Sequence, residues 1–558
     1  MAQELAGHRV DSTAFRREPA TVMRLARMGS AHPTRLSFLR VLLRRMKDEN
    51  WAFDRPVWQM DAKGVGRAVY RAIGPERTYS LVAFAHDLPA DMRTDRVIAT
   101  AWDATFALFD GTPSEADLNR LAANVPLQEA GRIGPSELSL SRANHSVRLF
   151  NYVVERLAEG HQPDAEELDA VGYLMRTTAV YGSGKFGAAD RSVLQMRPEA
   201  RGPFQMEMLS VWLTRAFTVD LVEHLAAVRG GKTAVKMAPD LRRRLGVGNS
   251  TGLGMAPFLV RHPVLLNNWA IAREEALARV RAQKSATTDA IAGFHLALEN
   301  AGQTWASWHS THPIQVSKLK ALGSDLQAIT AHLDEWPGHD THPWDALWRW
   351  GEGALSLEGQ EMLLSLMLEP HGDLVDGLAD CMDADEGAAF RIDGAMPMDR
   401  VKVLLNEVYG WALSTDYNAP DKNARFWYVS EEKLEPRLGE RFDEPGAELE
   451  LPLCIGRLAA EMSKDACVWQ GEGTLAAFLL VHPEHRFMAR RVQVAAQYPY
   501  AEVRDNLIAA DMLPIDLLRC KLAFFGASHF DPRSDRWVRI SLFQNAPYPQ
   551  DLMAGEPL

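Results

Sequence analysis

The feature that most constrains how this chain can fold is an internal echo. The run Leu174-Met175-Arg176-Thr177-Thr178-Ala179-Val180-Tyr181-Gly182-Ser183-Gly184-Lys185-Phe186, followed by Asp190-Arg191, is matched by Leu517-Leu518-Arg519-Cys520-Lys521-Leu522-Ala523-Phe524-Phe525-Gly526-Ala527-Ser528-His529-Phe530, followed by Asp535-Arg536. Other pieces line up in the same order: Leu39-Arg40-Val41-Leu42-Leu43 with Val401-Lys402-Val403-Leu404-Leu405, Val193 with Val538, and an Ala-x-x-Pro at Ala200 and again at Ala546. A repeat dictates architecture before it dictates chemistry, because each copy must fold to one plan. The expected fold class is therefore α+β and helix-rich, with two pseudo-repeated α+β lobes at residues 31–203 and 391–558. A mainly helical middle region at 204–390 joins them, and a tail at 1–30 precedes them. The competing reading is chance alignment of short apolar patterns.

Local patterns fill in this plan. Apolar residues at helical spacing predict an amphipathic helix over 33–47, and the run 79–84 predicts a strand. In the first copy, Thr178 to Tyr181 is short, apolar and closed by Gly182 and Gly184, which suits a buried strand entering a tight turn. The second copy repeats the plan at 426–429 and 522–525. Helical spacing over 204–228 stops at Gly230-Gly231, where glycine can cap a helix end. Residues 273–283 and 313–332 continue the helical character.

Length and charge narrow the function. At 558 residues the chain exceeds one ordinary core of ~100–200 residues, so about three domains are expected. There are 61 basic against 73 acidic residues, a formal charge of −12 that disfavours polyanion binding. The one dense basic cluster, Arg242-Arg243-Arg244, lacks interleaved aromatics, so no nucleic-acid partner is expected. The longest apolar run, at 475–481, is far short of the ~20 residues that span a bilayer, so no membrane partner is expected. The first residues carry scattered arginines and no continuous apolar stretch, and read as a solvated tail. Four cysteines without C-x-x-C spacing read as reduced thiols, which places the protein in the cytoplasm.

Several motifs could carry chemistry. Ala226-x4-Gly231-Lys232-Thr233 formally fits a P-loop, but a helix rather than a strand precedes its glycines. The richer loop is at 246–254, where Gly248, Asn249, Ser250, Thr251, Gly252 and Gly254 precede an expected helix start. Glycines there let the backbone approach an anion, and free amides at a helix N-terminus favour phosphate or carboxylate. The bland alternative is a glycine-rich connection. In the repeated turn, Lys185 of the first copy stands where the second has His529, while Arg176 and Arg519 correspond. Arginine suits a two-pronged grip on an anion, and the Lys-to-His exchange pairs a fixed charge with a proton-transfer group. Structural ion pairing is the alternative, favoured for Asp190-Arg191 and Asp535-Arg536.

Metal ligation is weighed at His309-Ser310-Thr311-His312-Pro313 and His339-Asp340-Thr341-His342-Pro343. His-Pro recurs at His32, His262 and His482, and proline suits the first helical position, so helix starts are the preferred reading and no metal site is assigned. The polar stretch around Asp416-Tyr417-Asn418 and 430–437 could perform acid/base work, though a solvated loop explains it as well.

The resulting expectation is a cytoplasmic metabolic enzyme that acts on a small anionic metabolite, phosphorylated or carboxylate, in a cleft between the repeats. Lys185 and His529 are the expected catalytic groups. Arg176, Arg519 and the 246–254 loop are the expected binding groups. No residue pattern specifies a cofactor or the reaction class, and a homo-oligomer is compatible with the sequence. The alternative is a non-catalytic ligand-binding or assembly scaffold built by duplication.

Overall fold

The computed structural model describes residues 12–89, 101–127, 134–177, 197–200, 202–249, 262–308, 310, 313–334, 336–337, 341–382, 390–417, 425–429, 437–440, 449–450, 455–471, 473–504, 519–528, 531–532 and 538–556. The chain divides into two units. One comprises Ser37–Thr251, Phe525–Asp531 and Arg539–Leu558, and the other Met1–Leu36, Gly252–Phe524 and Pro532–Val538.

The first unit is built on a sheet. Its strands are β1 (Ala52–Met60), β2 (Gly66–Ile73), β3 (Thr78–Ala85), β4 (Ala104–Asp110), β5 (Glu137–His145), β6 (Tyr173–Thr177), β7 (Gly246–Asn249) and β8 (Val538–Leu542). They lie in that order, with Asp531–Pro532 beyond β8. β1 to β6 form an antiparallel meander, β7 runs parallel to β6, and β8 is antiparallel to β7.

Both faces of the central strands are covered. Val69, Val82, Ala107 and Leu140 are register partners across β2 to β5, and they meet Leu118 and Leu121 of α2 (Glu115–Asn124) in one apolar cluster. Ser114 and Asp117 close the start of α2 with a reciprocal capping box, satisfying amides that the helix itself leaves open. On the other face lies α4 (Gln205–Gly230), whose Phe217 meets Phe106 edge-on with ring centres 5.4 Å apart. α1 (Phe38–Asp48) and α3 (Phe150–Ala158) pack on α4. Burial on both sides explains why β3 is a nearly continuous apolar run rather than an alternating one.

The second unit is mainly helical. Its helices are α5 (Pro263–Arg281), α6 (Thr288–Ala306), α7 (Pro313–His332), α8 (Pro343–Ala354), α9 (Leu357–Leu368), α10 (Met398–Leu413), α11 (Ile455–Val468), α12 (Leu475–Val481) and α13 (Arg486–Gln497). Three short strands, Arg425–Val429, Arg437–Glu440 and Leu449–Glu450, form a separate sheet.

The α+β, helix-rich class is as expected; the helices over 204–228 and 313–332 and the strands at 79–84 and 426–429 form, while the helix expected over 33–47 starts only at Phe38 and the one expected over 273–283 ends at Arg281. The helix beginning at 205 packs against β2 to β7. The echoed runs differ where both are described. Leu174 to Thr177 lie in strand β6, whereas Arg519 and Cys520 are helical and Lys521–Phe525 form a π-helical turn. A short apolar run such as Leu522 to Phe525 carries no period of its own, so burial decides between strand and helix. The described residues thus do not display two matched lobes.

Candidate functional site

Most of the expected site residues, both expected catalytic groups among them, fall outside the described structure. Lys185, His529, Ser250, Thr251, Gly252 and Gly254 lie outside the described residues, as do Thr178 to Tyr181, Asp190-Arg191 and Asp535-Arg536. Gly248 and Asn249 are not in a loop. They form β7, fully buried and register-paired with Ser541 and Ile540 of β8. A Cβ on Gly248 would come within 2.7 Å of the Tyr173 and Arg176 side chains, so glycine there serves strand packing rather than ligand approach. Asn249 Nδ2 donates to the Thr177 carbonyl at 3.1 Å.

Arg176 and Arg519 fall in different units. Arg176 is buried on β6. Arg519 is committed within its unit: its Nε donates to Glu358 Oε1 at 2.7 Å, and its two Nη groups donate to the carbonyls of Ala26 and Gly29 at 2.9 Å each. That is the hydrogen-bond set of a structural arginine.

Of the two H-x-T-H-P segments, His309, Thr311, His312, His339 and Asp340 lie outside the described residues. His342 precedes α8, where Pro343 takes the first helical position as expected. Asp416 and Tyr417 are described, and Tyr417 Oη donates to the Ala412 carbonyl, which tethers the end of α10. Residues 430–436 lie outside the described residues.

A different constellation forms at one end of the sheet. Ala85 of β3, Ala104 of β4 and Ala143 of β5 are register partners, so the residues just beyond them, His86, Asp103 and His145, converge. Backbone bonds fix this convergence. The His86 amide donates to the Asp103 carbonyl at 2.9 Å, and the Asp103 amide donates to Asn144 Oδ1 at 2.9 Å.

Asp103 is 1% exposed and holds His145 at two points. Its Oδ2 accepts from the His145 backbone amide at 2.9 Å, and its Oδ1 stands 3.4 Å from His145 Nδ1. The other side of the His145 ring stacks on Phe150 at the start of α3, with centroids 3.5 Å apart and planes within 7°. A carboxylate behind Nδ1 and an aromatic ring against its face fix the orientation of the imidazole, whose Nε2 is itself buried.

His86 is the second imidazole. Its Nε2 is 3.1 Å from Thr105 Oγ1, and burial pushes its pKa below the ordinary histidine value.

Both histidines and Asp103 line a cavity of about 330 Å³. Lys63, Asp87, Asn151 and Arg229 add polar groups, while Leu221 and Leu225 of α4 supply apolar wall. The loop carrying Lys63 is shaped by Asp61, whose Oδ1 accepts the amides of Lys63 and Val65 at 2.8 and 2.9 Å. Gly64, at φ +77°, could not carry a side chain without strain, and its Cβ would press on Leu221 and Leu225 at 3.1 Å. Lys63 Nζ pairs with Asp87 at 3.2 Å, and Arg229 is exposed in the last turn of α4.

A larger cavity of about 750 Å³ lies between α6 and α7, but its lining is mostly apolar, with His295 and Glu299 its titratable groups. Convergent titratable groups are therefore richer at the sheet-end cavity. Comparison with protein-family models, with curated proteins and with solved structures finds no match.

None of His86, Asp103 and His145 belongs to a local motif, since 59 positions separate the first from the last. The available signal was positional: each lies at the end of an apolar strand run.

Proposed function

We propose that the protein is an enzyme acting on a small anionic substrate, phosphorylated or carboxylate, by acid/base chemistry in the sheet-end cavity. The observation that carries this reading is the buried Asp103 carboxylate gripping His145 while a second, desolvated imidazole lines the same cavity. In this reading His145 takes a proton from the substrate, and Asp103 balances the imidazolium so formed. His86, kept neutral by burial, polarises a substrate oxygen as a hydrogen-bond donor, and the His145 imidazolium returns the proton. Lys63 and Arg229 attract the substrate's negative charge. The cytoplasmic setting remains part of the proposal and rests on the unpaired spacing of the cysteines. No helix among the described residues is long and apolar enough to cross a membrane.

The test is a thermal-shift screen with phosphorylated metabolites and carboxylates, followed by turnover assays on the hits. A ligand that binds the folded state at 100 times its Kd stabilises it by about 2.7 kcal/mol. That shift is expected to vanish in Lys63→Ala/Arg229→Ala, while His145→Gln should keep binding and lose turnover. Hits whose binding ignores all these substitutions would sink the assignment.

A second reading, a partner-binding or self-associating protein, draws on Leu480 and Val481, which are adjacent on α12 and 85% and 61% exposed. Light scattering of wild type against Leu480→Asp separates the two. A loss of self-association in the variant favours assembly.

A further inference from the structure

We propose that the helical unit carries a transition-metal site, with zinc as its resident ion, formed by Asp465, His482, Glu484 and His485. One donor atom from each of these four side chains lies within 4.8 Å of every other. The chain achieves this with one tight turn and one helix. α12 ends at Val481, and His482 and the 3-10 turn Pro483–His485 lead directly into α13, so His482, Glu484 and His485 sit within a single turn of backbone. Asp465 comes from the last turn of α11. The proline shapes the helix start and also sets its flanking imidazoles on either side of the turn.

The donors already face one another. His485 Nε2 is 2.8 Å from Asp465 Oδ2, and His482 Nδ1 is 3.2 Å from Glu484 Oε1. Both rings are held by the same aromatic group. Phe478, fully buried, stacks on His485 with planes 7° apart and centroids at 5.7 Å, and on His482 at 27° and 4.8 Å. Trp469 closes the outer side of His482 edge-on at 6.0 Å. His485 is buried and Glu484 exposed, so the cluster has a fixed inner side and one ligand that opens to solvent.

Two simple ion pairs would satisfy the two short contacts but would not require that both pairs converge on one point. Two imidazoles and two carboxylates are a donor set for zinc, cobalt, nickel or copper, whereas calcium and magnesium take oxygen alone. In a tetrahedral zinc site the ligand atoms lie ~2.0–2.2 Å from the ion, which puts them roughly 3.4 Å from each other. The donors, up to 4.8 Å apart, reach that spacing through side-chain rotation that draws the widest pair in by about 1.4 Å. The expected role is a staple between α11 and the turn that starts α13.

The experiment uses the full chain without a histidine tag. Metal content is measured by elemental analysis after dialysis against zinc, and affinity by competition with a chromogenic zinc chelator. Cobalt substitution reports the coordination geometry. One zinc per chain is expected, with the absorption of tetrahedral cobalt in the exchanged protein. His485→Ala and, at the more accessible ligand, His482→Ala should each weaken zinc by at least the ~10–100-fold that loss of an outer-shell partner alone costs. Circular dichroism of each variant separates a lost ligand from a lost fold, and His482→Ala keeps the test decisive where His485→Ala unfolds. A wild-type chain that retains no zinc, or zinc affinity unchanged within about threefold in folded His482→Ala and Asp465→Ala, overturns the site. Neither result bears on the sheet-end cavity, whose residues belong to the other unit.

Discussion

Glu361 gives the sharpest test of how the helical unit is held together. It sits on α9, is 0% exposed, and receives three arginines: Arg17 at 2.8 Å, Arg27 at 3.4 Å, and Arg273 of α5 at closer range. Arg17 also grips Glu274, at 2.7 and 2.8 Å, so the segment 12–36 is bound to α5 and α9 through buried charge. Burial alone would raise the Glu361 carboxyl, but the guanidinium groups of Arg17 and Arg273 outweigh it and hold it down at about 2 against the ordinary 4.5. At ~1.36 kcal/mol per tenfold change in proton affinity, that gap corresponds to about 3 kcal/mol. The sign follows from the direction. A carboxyl whose folded pKa is depressed contributes its full stability above the unfolded value near 4.5, and loses it as pH falls towards about 2.

Glu361→Gln keeps the shape and removes the charge, leaving Arg273 and Arg17 buried beside a neutral amide. The expected loss is about 3–5 kcal/mol near neutral pH. The assay is urea unfolding followed by tryptophan fluorescence, with Trp348 a local reporter because the Arg17 guanidinium lies 5.2 Å from its ring centre. Wild type and variant should converge as the pH drops from about 4.5 towards about 2. A variant within about 0.5 kcal/mol of wild type at neutral pH, the range of ordinary surface changes, would refute the reasoning. So would a deficit that does not shrink in acid.

Two further outcomes are expected in the sheet unit. Gly248→Ala should destabilise it by about 1–3 kcal/mol, because its methyl meets the Tyr173 ring and Arg176 stem at 2.7 Å, and chemical denaturation measures this. A neutral effect would mean that β6 and β7 can separate freely. His86, whose folded pKa is depressed by burial, binds fewer protons folded than unfolded, so its contribution to stability rises with pH up to its unfolded value. Melting temperatures should therefore fall as pH drops below about 6.5, and His86→Gln should flatten that slope. An unchanged slope would place the acid sensitivity elsewhere.

What the sequence disclosed, and what it concealed, follows from how far each signal reaches along the chain. The helices over 313–332 and 204–228 were legible because each is a long apolar stretch without an internal proline, opened by Pro313 in one case and closed by Gly230-Gly231 in the other. The strand at 79–84 was legible because a run buried on both faces has few polar residues to confuse it. Residues 522–525 had neither length nor period, so the expected strand became a π-helical turn once Leu522 and Phe524 found buried surroundings. The glycine-rich composition around Gly248 predicts a ligand loop. The actual reason for Gly248 is a neighbour 75 positions away, Tyr173, whose ring occupies the space a side chain would need.

The same limit explains the missed histidines. His86 lies one residue past the end of β3 and Asp103 one residue before β4, and only the pairing of Ala85 with Ala104 brings them side by side. Strand register is a long-range property that no local motif encodes, yet the ends of antiparallel neighbours are forced together once it is set. His86, Asp103 and His145 each lie within two positions of the end of an apolar strand run, and the meander makes those ends coincide. The three that converge were hidden because each looked ordinary where it stood.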